Sequence, residues 1–161
     1  MSELLQTARK FLSFNKMAVA GVSSKGDTAG NIIFRKLQSQ GYDLYPVNPN
    51  TAVIEGVKCY PSIESLPETP DVVIIATHPD VTPSIMHDCG KAGIQRVWIH
   101  RSFGTGSFHP DANEIAKQYN FTLIPGGCPM MFSEPDVIHR CMLWFLQVTG
   151  NEAKPIISKE F

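Results

Sequence analysis

The 161-residue sequence lacks a long apolar run, and no segment approaches the roughly 20 apolar residues that a membrane-spanning helix needs. It also lacks the basic start and short apolar run of a signal sequence. A formal net charge of -1 provides no general attraction for nucleic acid or for an anionic membrane. These absences predict a cytoplasmic protein that binds neither nucleic acid nor membrane.

Cysteine and histidine occur in small numbers and without the spacing of a redox or metal motif. The four cysteines include no C-x-x-C pair, and the five histidines show no H-E-x-x-H pattern. A chain of this length can also hold a core without disulfides. We therefore expect reduced thiols and no bound metal.

The sequence does contain five short apolar segments that alternate with segments of helical periodicity. The apolar segments predict buried strands at residues 17–22, 44–47, 72–76, 97–99 and 122–124. Helices are predicted at residues 4–12, 31–40, 83–92, 110–119 and 135–148. This alternation predicts an α/β fold, a doubly wound, Rossmann-like parallel sheet of about five strands with helices on both faces.

Residues 1–150 are expected to form one domain, and residues 151–161 a C-terminal tail. The irregular segment 52–60 is interpreted as a loop or a small excursion. An apolar stripe on the last helix predicts a core face that excludes His139 and comprises Val137, Cys141, Trp144, Phe145 and Val148. The tail could dock on a neighbour through Ile156, Ile157 and Phe161.

Ligands of an open parallel sheet bind beyond the carboxyl ends of the strands, so the loops at those ends are the candidate site. In the first loop, Gly21 permits a tight turn, Lys25 adds positive charge, and backbone N–H groups entering the next helix can bind phosphate. Ser23 stands where the second glycine of G-x-G-x-x-G would be. Taken alone, this loop is equally compatible with an ordinary strand-to-helix connection.

The end of the second strand tests for a dinucleotide, because NAD-binding folds place an acidic residue there to accept hydrogen bonds from the ribose. Here that place is held by Asn48 and Pro49, while Asp43 lies at the opposite end of the strand. This counts against NAD and leaves another adenine nucleotide carrier open.

Several short motifs carry a family resemblance. They are Val-Ala-Gly-Val-Ser at 19–23, Tyr-Pro-Val-Asn-Pro at 45–49, Cys-Tyr-Pro-Ser-Ile at 59–63, Leu-Pro at 66–67 and Cys-Pro at 128–129. In this order, over roughly residues 14–131, the chain resembles the CoA-binding domain family. Those small proteins are similar to the N-terminal domain of the succinyl-CoA ligase α-subunit.

The resemblance implies that coenzyme A is the cofactor, with its nucleotide and phosphates at the first loop, formed by Gly21, Val22, Ser23, Ser24, Lys25 and Gly26. It places the adenosine beside Asn48 and Pro49. It implies that the middle of the site is lined by Thr77, His78 and Pro79, and the pantetheine path by Ile99, His100 and Arg101. Charge-assisted contacts to the phosphates are expected from Lys25, Arg35 or Arg101. Two features depart from the common family pattern, the pair Thr77-His78 and the loop 101–107.

The resemblance implies a non-catalytic protein that binds coenzyme A or an acyl-CoA, because the related ligases carry their phosphorylated histidine in a further domain for which this chain has no room. An NAD(P)-binding oxidoreductase or redox sensor, and an interaction subunit that has lost its ligand, are the alternatives. A catalytic pair among His78, His100 and Cys128 is conceivable from their strand-end positions. Cys128 is interpreted either as a buried structural cysteine or as a thiol that forms a mixed disulfide with the cofactor. A homodimer through the first or last helix is a further option.

Overall fold

The computed structural model describes residues 1–158, in which seven strands and five α-helices follow one another. The strands are β1 Lys16–Ala20, β2 Asp43–Val47, β3 Val53–Ile54, β4 Val57–Lys58, β5 Val72–Ile75, β6 Arg96–Ile99 and β7 Thr122–Ile124. The helices are α1 Glu3–Leu12, α2 Ala29–Ser39, α3 Thr82–Lys91, α4 Ala112–Tyr119 and α5 Val137–Thr149. In this part of the chain, no helix is both long and apolar enough to span a membrane.

Five strands pair in parallel in the order β2-β1-β5-β6-β7, which confirms the predicted doubly wound sheet. The first strand of the chain therefore lies inside the sheet, between β2 and β5. The order reverses between β1 and β5, and a sheet of this kind opens a crevice for ligands at such a point.

The sheet separates two apolar cores because the side chains of successive strand residues point to opposite faces. Met17 and Val19 of β1 pack with α1, α2 and the partly buried side of α5. Ala18 and Ala20 of the same strand pack with α3 and α4. The predicted helices on both faces are thus confirmed.

Local signals in the sequence account for several element boundaries. Ser2 caps α1, since its Oγ accepts a hydrogen bond from the Leu5 N–H at 3.3 Å. Gly41 follows α2 with a φ of +86°, as expected of a glycine at a helix C-terminus. The first strand ends at Ala20 rather than at Val22, because Gly21 takes a φ of +105° and turns the chain away.

The segment predicted as a loop or small excursion is a two-stranded antiparallel hairpin formed by β3 and β4. Its turn consists of Glu55 and Gly56, both with positive φ, 53° and 75°. A two-residue turn of this kind matches the twist of the flanking strands. The hairpin brings Glu55 next to α2, where the Glu55 carboxylate contacts Asn31 and Arg35.

The predicted core face of α5 is wrong. Trp144 is 63% exposed, and the other members of that stripe are exposed as well, namely Val137, Cys141, Phe145 and Val148. The helix packs through its other side, with Met142, Leu143 and Leu146 against the core. Because α5 is apolar around most of its circumference, periodicity alone cannot select the buried side.

The segment that follows α5 returns to the sheet. Leu123 of β7 exchanges two backbone hydrogen bonds with Ile156, at 2.8 and 2.9 Å, and the Thr122 and Ser158 hydroxyls are 3.0 Å apart. This contact covers part of the outer edge of β7. Ile156 therefore docks on its own sheet rather than on a neighbour, and Ile157 remains 39% exposed. Phe161, which was predicted to dock too, lies outside the described residues.

Candidate functional site

A crevice of about 330 Å³ lies where the carboxyl ends of β1, β2 and β5 meet. Four of the predicted site residues line it, Gly21, Asn48, Pro49 and Thr77. Its remaining wall is formed mainly by the loop after β4 and by the start of α3. The crevice thus lies at the predicted switch point of the sheet.

Gly21 is required by the close approach of two strand ends. A Cβ atom built on Gly21 would lie 2.2 Å from the carbonyl oxygen of Ala76, and one built on Gly30 would lie 2.5 Å from the carbonyl oxygen of Gly21. Backbone therefore packs on backbone on both sides of this turn. A valine at residue 21 would therefore collide with main-chain atoms and not with a ligand alone.

Thr77 presents the clearest sign of a missing partner. Its Oγ1 is buried and has no hydrogen-bond partner among residues 1–158. Buried hydroxyl groups in native proteins are nearly always hydrogen-bonded, because an unpaired one costs roughly 1–3 kcal/mol. Thr77 lines the crevice, so a ligand with a polar group there would supply the partner.

Asn48 ties the end of β2 to the first loop. Its Nδ2 donates to the Val22 carbonyl oxygen at 2.7 Å, and its Oδ1 accepts from the Asn50 N–H at 2.8 Å. The side chain thereby fixes Pro49 against the crevice. Asp43 lies at the amino end of β2, as predicted, which is the opposite edge of the sheet from the crevice.

The first loop is held by Asn31, a buried residue of α2 that was not predicted to act here. Its Oδ1 accepts from the Ser23 N–H at 2.9 Å, and its Nδ2 donates to the Ser23 carbonyl oxygen and to Glu55 at 2.9 Å each. The Ser23 Oγ in turn accepts from the Lys25 N–H at 3.1 Å. Two of the loop amides expected to bind phosphate are therefore already hydrogen-bonded.

The predicted cations differ in their availability. Arg35 is paired with Asp27 at 2.7 Å and with Glu55 at 3.1 Å, and these carboxylates raise its pKa. The Arg101 Nε donates to the carbonyl oxygen of Gly104. Lys25 is exposed and makes no ion pair within the described residues 1–158. Lys25 is therefore the best placed of the three to meet a phosphate.

The structure leaves the other predicted side chains outside the crevice. Val22 and Ile99 are fully buried in the two cores, so they can meet a ligand only through their backbone. His78 is exposed and its Nδ1 lies 3.4 Å from Asp80, at the start of a short 3-10 turn that begins with Pro79. Ser24 and Gly26 lie on the exposed outer part of the first loop.

His100 belongs to a second polar group, beyond the ends of β6 and β7. Its Nε2 lies 3.3 Å from the Ser102 Oγ, and burial lowers its pKa below 6.5, which favours the neutral imidazole. Ser102 also interacts with the Cys128 thiol. Burial dominates at Cys128 and raises its pKa to about 11, although hydrogen bonds from Ser102 and backbone groups lower it. A thiolate is therefore disfavoured, which supports the interpretation of a structural cysteine.

Sequence reasoning missed several residues of the crevice. On α3 and just before it, the missed wall consists of Val81, Ser84, Ile85 and Asp88. They recur at intervals of three or four residues, as expected for one face of a helix, and this helix follows a strand end. That spacing was the available signal. The loop after β4 adds Pro61, Ser62 and Ile63, which belong to the Cys-Tyr-Pro-Ser-Ile motif.

Comparison with known proteins matches residues 15–134 to the family described as CoA binding domain. An ADP-forming acetate–CoA ligase of Methanocaldococcus jannaschii is 32% identical over 124 residues, 74% of this chain and 18% of the ligase. The uncharacterized protein YneT of Bacillus subtilis is 23% identical over 80% of this chain and 87% of its own length. The structure of a hypothetical protein from Pyrococcus horikoshii superimposes with a TM-score of 0.74 at 29% identity, covering 81% of this chain and 89% of its own. The chain thus spans less than a fifth of that ligase.

Proposed function

This chain belongs to the CoA binding domain family, and on that premise we propose that it binds coenzyme A or an acyl-CoA in the crevice between β1 and β5, without catalysing a reaction. The observation that carries the proposal is the hydroxyl of Thr77, a residue in the wall of that crevice, because this hydroxyl is buried without a hydrogen-bond partner among residues 1–158. Gly21, one of the predicted cofactor-binding residues, also lines this crevice, which adds support.

The charges around the crevice suggest how the cofactor lies. Asp88 lines the crevice on the α3 side, where a carboxylate accepts hydrogen bonds from hydroxyl or amino groups and repels phosphate. Lys25 is an exposed cation of the first loop, which begins at Gly21 in the crevice wall. We therefore place the adenosine between Pro49 and α3, and the phosphates toward Lys25.

The proposal of a binding protein rather than an enzyme rests on the second polar group, which is formed by His100, Ser102 and Cys128. Cys128 is 1% exposed and its pKa is raised to about 11, which opposes its use as a nucleophile. Burial is the cause of the lowered pKa of His100, with no contribution from a carboxylate that could orient the ring. An activated pair of the kind considered from sequence is thus unsupported.

Parallel calorimetric titrations with coenzyme A, acetyl-CoA, NAD and NADP test the proposal. We expect the two CoA compounds to bind and the dinucleotides not to bind. Binding of NAD or NADP alone would favour the oxidoreductase or sensor, and no binding at all would favour an interaction subunit. The affinity for coenzyme A should also fall as salt rises, because several phosphate charges meet few cations. Lys25→Gln should weaken binding and flatten this salt dependence, whereas Lys117→Gln, on the remote helix α4, should do neither.

We also propose that two copies associate through α5. Five large apolar side chains of this helix are at least half exposed, namely Val137, Ile138, Trp144, Phe145 and Val148. Together they present roughly 600 Å² of surface, close to the ~800 Å² that one partner of a standard interface buries. This area is at the upper end of the roughly 300–600 Å² that the largest apolar patch of a typical monomer covers, and such patches are often functional.

The spacing along α5 favours a second copy of the same chain as the occupant. Val137, Cys141, Trp144 and Val148 are separated by four, three and four residues, an order that reads the same in both directions. In an antiparallel pair about a two-fold axis, Val137 meets the second copy's Val148 and Cys141 meets its Trp144. Such a pair is self-complementary.

Light scattering after size exclusion tests the pairing. We expect a dimer at micromolar concentration, a monomer for Trp144→Glu, and a dimer for the matched control Gln147→Glu. A monomeric wild-type chain would refute the proposal. Rapid formation of a disulfide between two copies of Cys141 on oxidation would refute the antiparallel arrangement, since it requires the two thiols to face each other.

A further inference from the structure

A second cavity, of about 430 Å³, lies beyond the carboxyl ends of β6 and β7. The loops that follow these two strands form one wall, and α1 and α5 form the other. About half of the wall is apolar, with contributions from Leu4, Met131, Phe132, Leu143 and Leu146. Its size falls within the range of small-molecule sites, roughly 300–1,000 Å³.

Glycines let the two loops in the wall of this cavity pack closely against their neighbours. The loops after β6 and β7 are joined by two backbone hydrogen bonds between Arg101 and Gly127, at 2.7 and 3.3 Å. Beside this pair, a Cβ atom on Gly126 would lie 3.1 Å from the Ala153 Cβ and 3.5 Å from the Arg101 Cδ. A side chain at residue 126 would therefore crowd Ala153 and Arg101, which both line the cavity.

The charged residues that line this cavity already have partners. The Arg101 Nε donates to the Gly104 carbonyl oxygen, and its guanidinium lies 5.8 Å from the Phe108 ring centre. Glu152 accepts a hydrogen bond from the Ser2 hydroxyl at 3.1 Å. These partners are neutral, but one cation and one anion line the cavity, so the lining carries no net charge and suits an uncharged guest.

The position of the cavity relates it to the proposed cofactor site. Adjacent strands lie about 4.8 Å apart, so β6 is roughly 10 Å from β1 along the sheet edge, and β7 roughly 15 Å. The cavity lies on the α1 and α5 side of the sheet and the crevice on the α3 side, so the cofactor must also cross this edge. The phosphopantetheine arm of coenzyme A can bridge such a distance. Its predicted path ends at His100 and Arg101, and Arg101 lines the cavity.

Resting on the proposed function, we infer that this cavity receives the acyl group of an acyl-CoA thioester, with an uncharged chain of about four to six carbons. The apolar wall provides contacts that free coenzyme A, which ends in a small thiol, does not use. Each methylene buried there increases the affinity by roughly threefold. The protein therefore distinguishes acyl-CoA from free coenzyme A at a place separate from the nucleotide crevice.

Calorimetric titration of the full chain with coenzyme A, acetyl-CoA, butanoyl-CoA and hexanoyl-CoA tests the inference. We expect hexanoyl-CoA to bind about tenfold more tightly than butanoyl-CoA. Leu146→Trp, which fills the cavity, should remove this gain. The control Gln147→Trp adds the same ring to the exposed side of α5 and should retain it.

The outcomes separate the two proposals. If free coenzyme A binds but the affinity does not rise with chain length, the acyl cavity is refuted and the proposed function stands. If free coenzyme A does not bind the wild-type chain, the proposed function fails and this inference fails with it. Should Leu146→Trp not fold, Ala153→Trp fills the same cavity from the segment after α5, and an undiminished chain-length gain in that variant refutes the inference.

Discussion

Replacing Thr77 with valine should change stability and ligand affinity in opposite directions. Valine keeps the shape of threonine and removes the buried Oγ1 that has no partner among the described residues. Removing an unpaired buried hydroxyl relieves a desolvation cost of roughly 1–3 kcal/mol, less the strain of small adjustments. We expect the free energy of unfolding of the ligand-free protein to rise by about 1 kcal/mol, and the melting temperature by about 2–4 °C.

The same substitution should weaken the binding of coenzyme A, because the ligand loses its hydrogen bond to this hydroxyl. A bond worth about 1 kcal/mol corresponds to roughly a fivefold loss of affinity. Urea denaturation and calorimetry measure the two effects. Thr82→Val is the matched control: the Thr82 Oγ1 donates to the Ser107 carbonyl oxygen at 2.6 Å, so its loss should destabilise the protein. A destabilised Thr77→Val chain with unchanged affinity would refute the reasoning.

Three further predictions follow from single contacts. Gly21→Ala should destabilise the fold by about 4 kcal/mol or more in urea denaturation, because its Cβ meets the backbone. Gly26→Ala, whose Cβ would meet no atom of residues 1–158 within 4 Å, should cost only the strain of a positive φ, about 1–3 kcal/mol. Since the pKa of folded His100 is lowered below 6.5, the unfolded chain binds the proton more readily, and the free energy of unfolding should fall as pH decreases from 7 through 6.5 and below; His100→Asn should reduce this slope. In the Trp144→Glu variant, which the proposed pairing of α5 leaves monomeric, a thiol reagent followed by mass spectrometry should label exposed Cys141 first and Cys128 only on unfolding, and early labelling of Cys128, or an adduct there with CoA disulfide, would contradict its burial.

The sheet and its flanking helices were predictable because their signals are local. Short apolar runs bounded by glycine, proline or asparagine marked each central strand, and Ser2 and Gly41 marked helix ends. Because the carboxyl ends of parallel strands lie at one edge of a sheet, the crevice was expected at that edge. Gly21, Asn48 and Thr77 meet there although they are far apart in sequence.

The contacts within the site were not predictable, since they depend on tertiary neighbours. Asn31 looked like a helix residue of no special role, yet it occupies the Ser23 amide that the sequence assigned to phosphate. Glu55, in the turn of the hairpin, forms an ion pair with Arg35, which the sequence analysis proposed as a cation for the phosphates. The buried side of α5 was also ambiguous, because Leu143 and Trp144 are both apolar and only packing decides which one faces inward.

The central position of β1 has a consequence for how the chain folds as it is synthesised. β1 is complete at Ala20, but its inner partner β5 begins only at Val72, about 50 residues later. Until β5 emerges, β1 can pair only with β2, and its other edge offers unpaired backbone beside apolar side chains. The pairing of β1 with β5 requires the closure of a long loop, which slows folding relative to helical bundles of similar size. The nascent chain is therefore most open to misassociation during this interval, before the middle of its sheet exists.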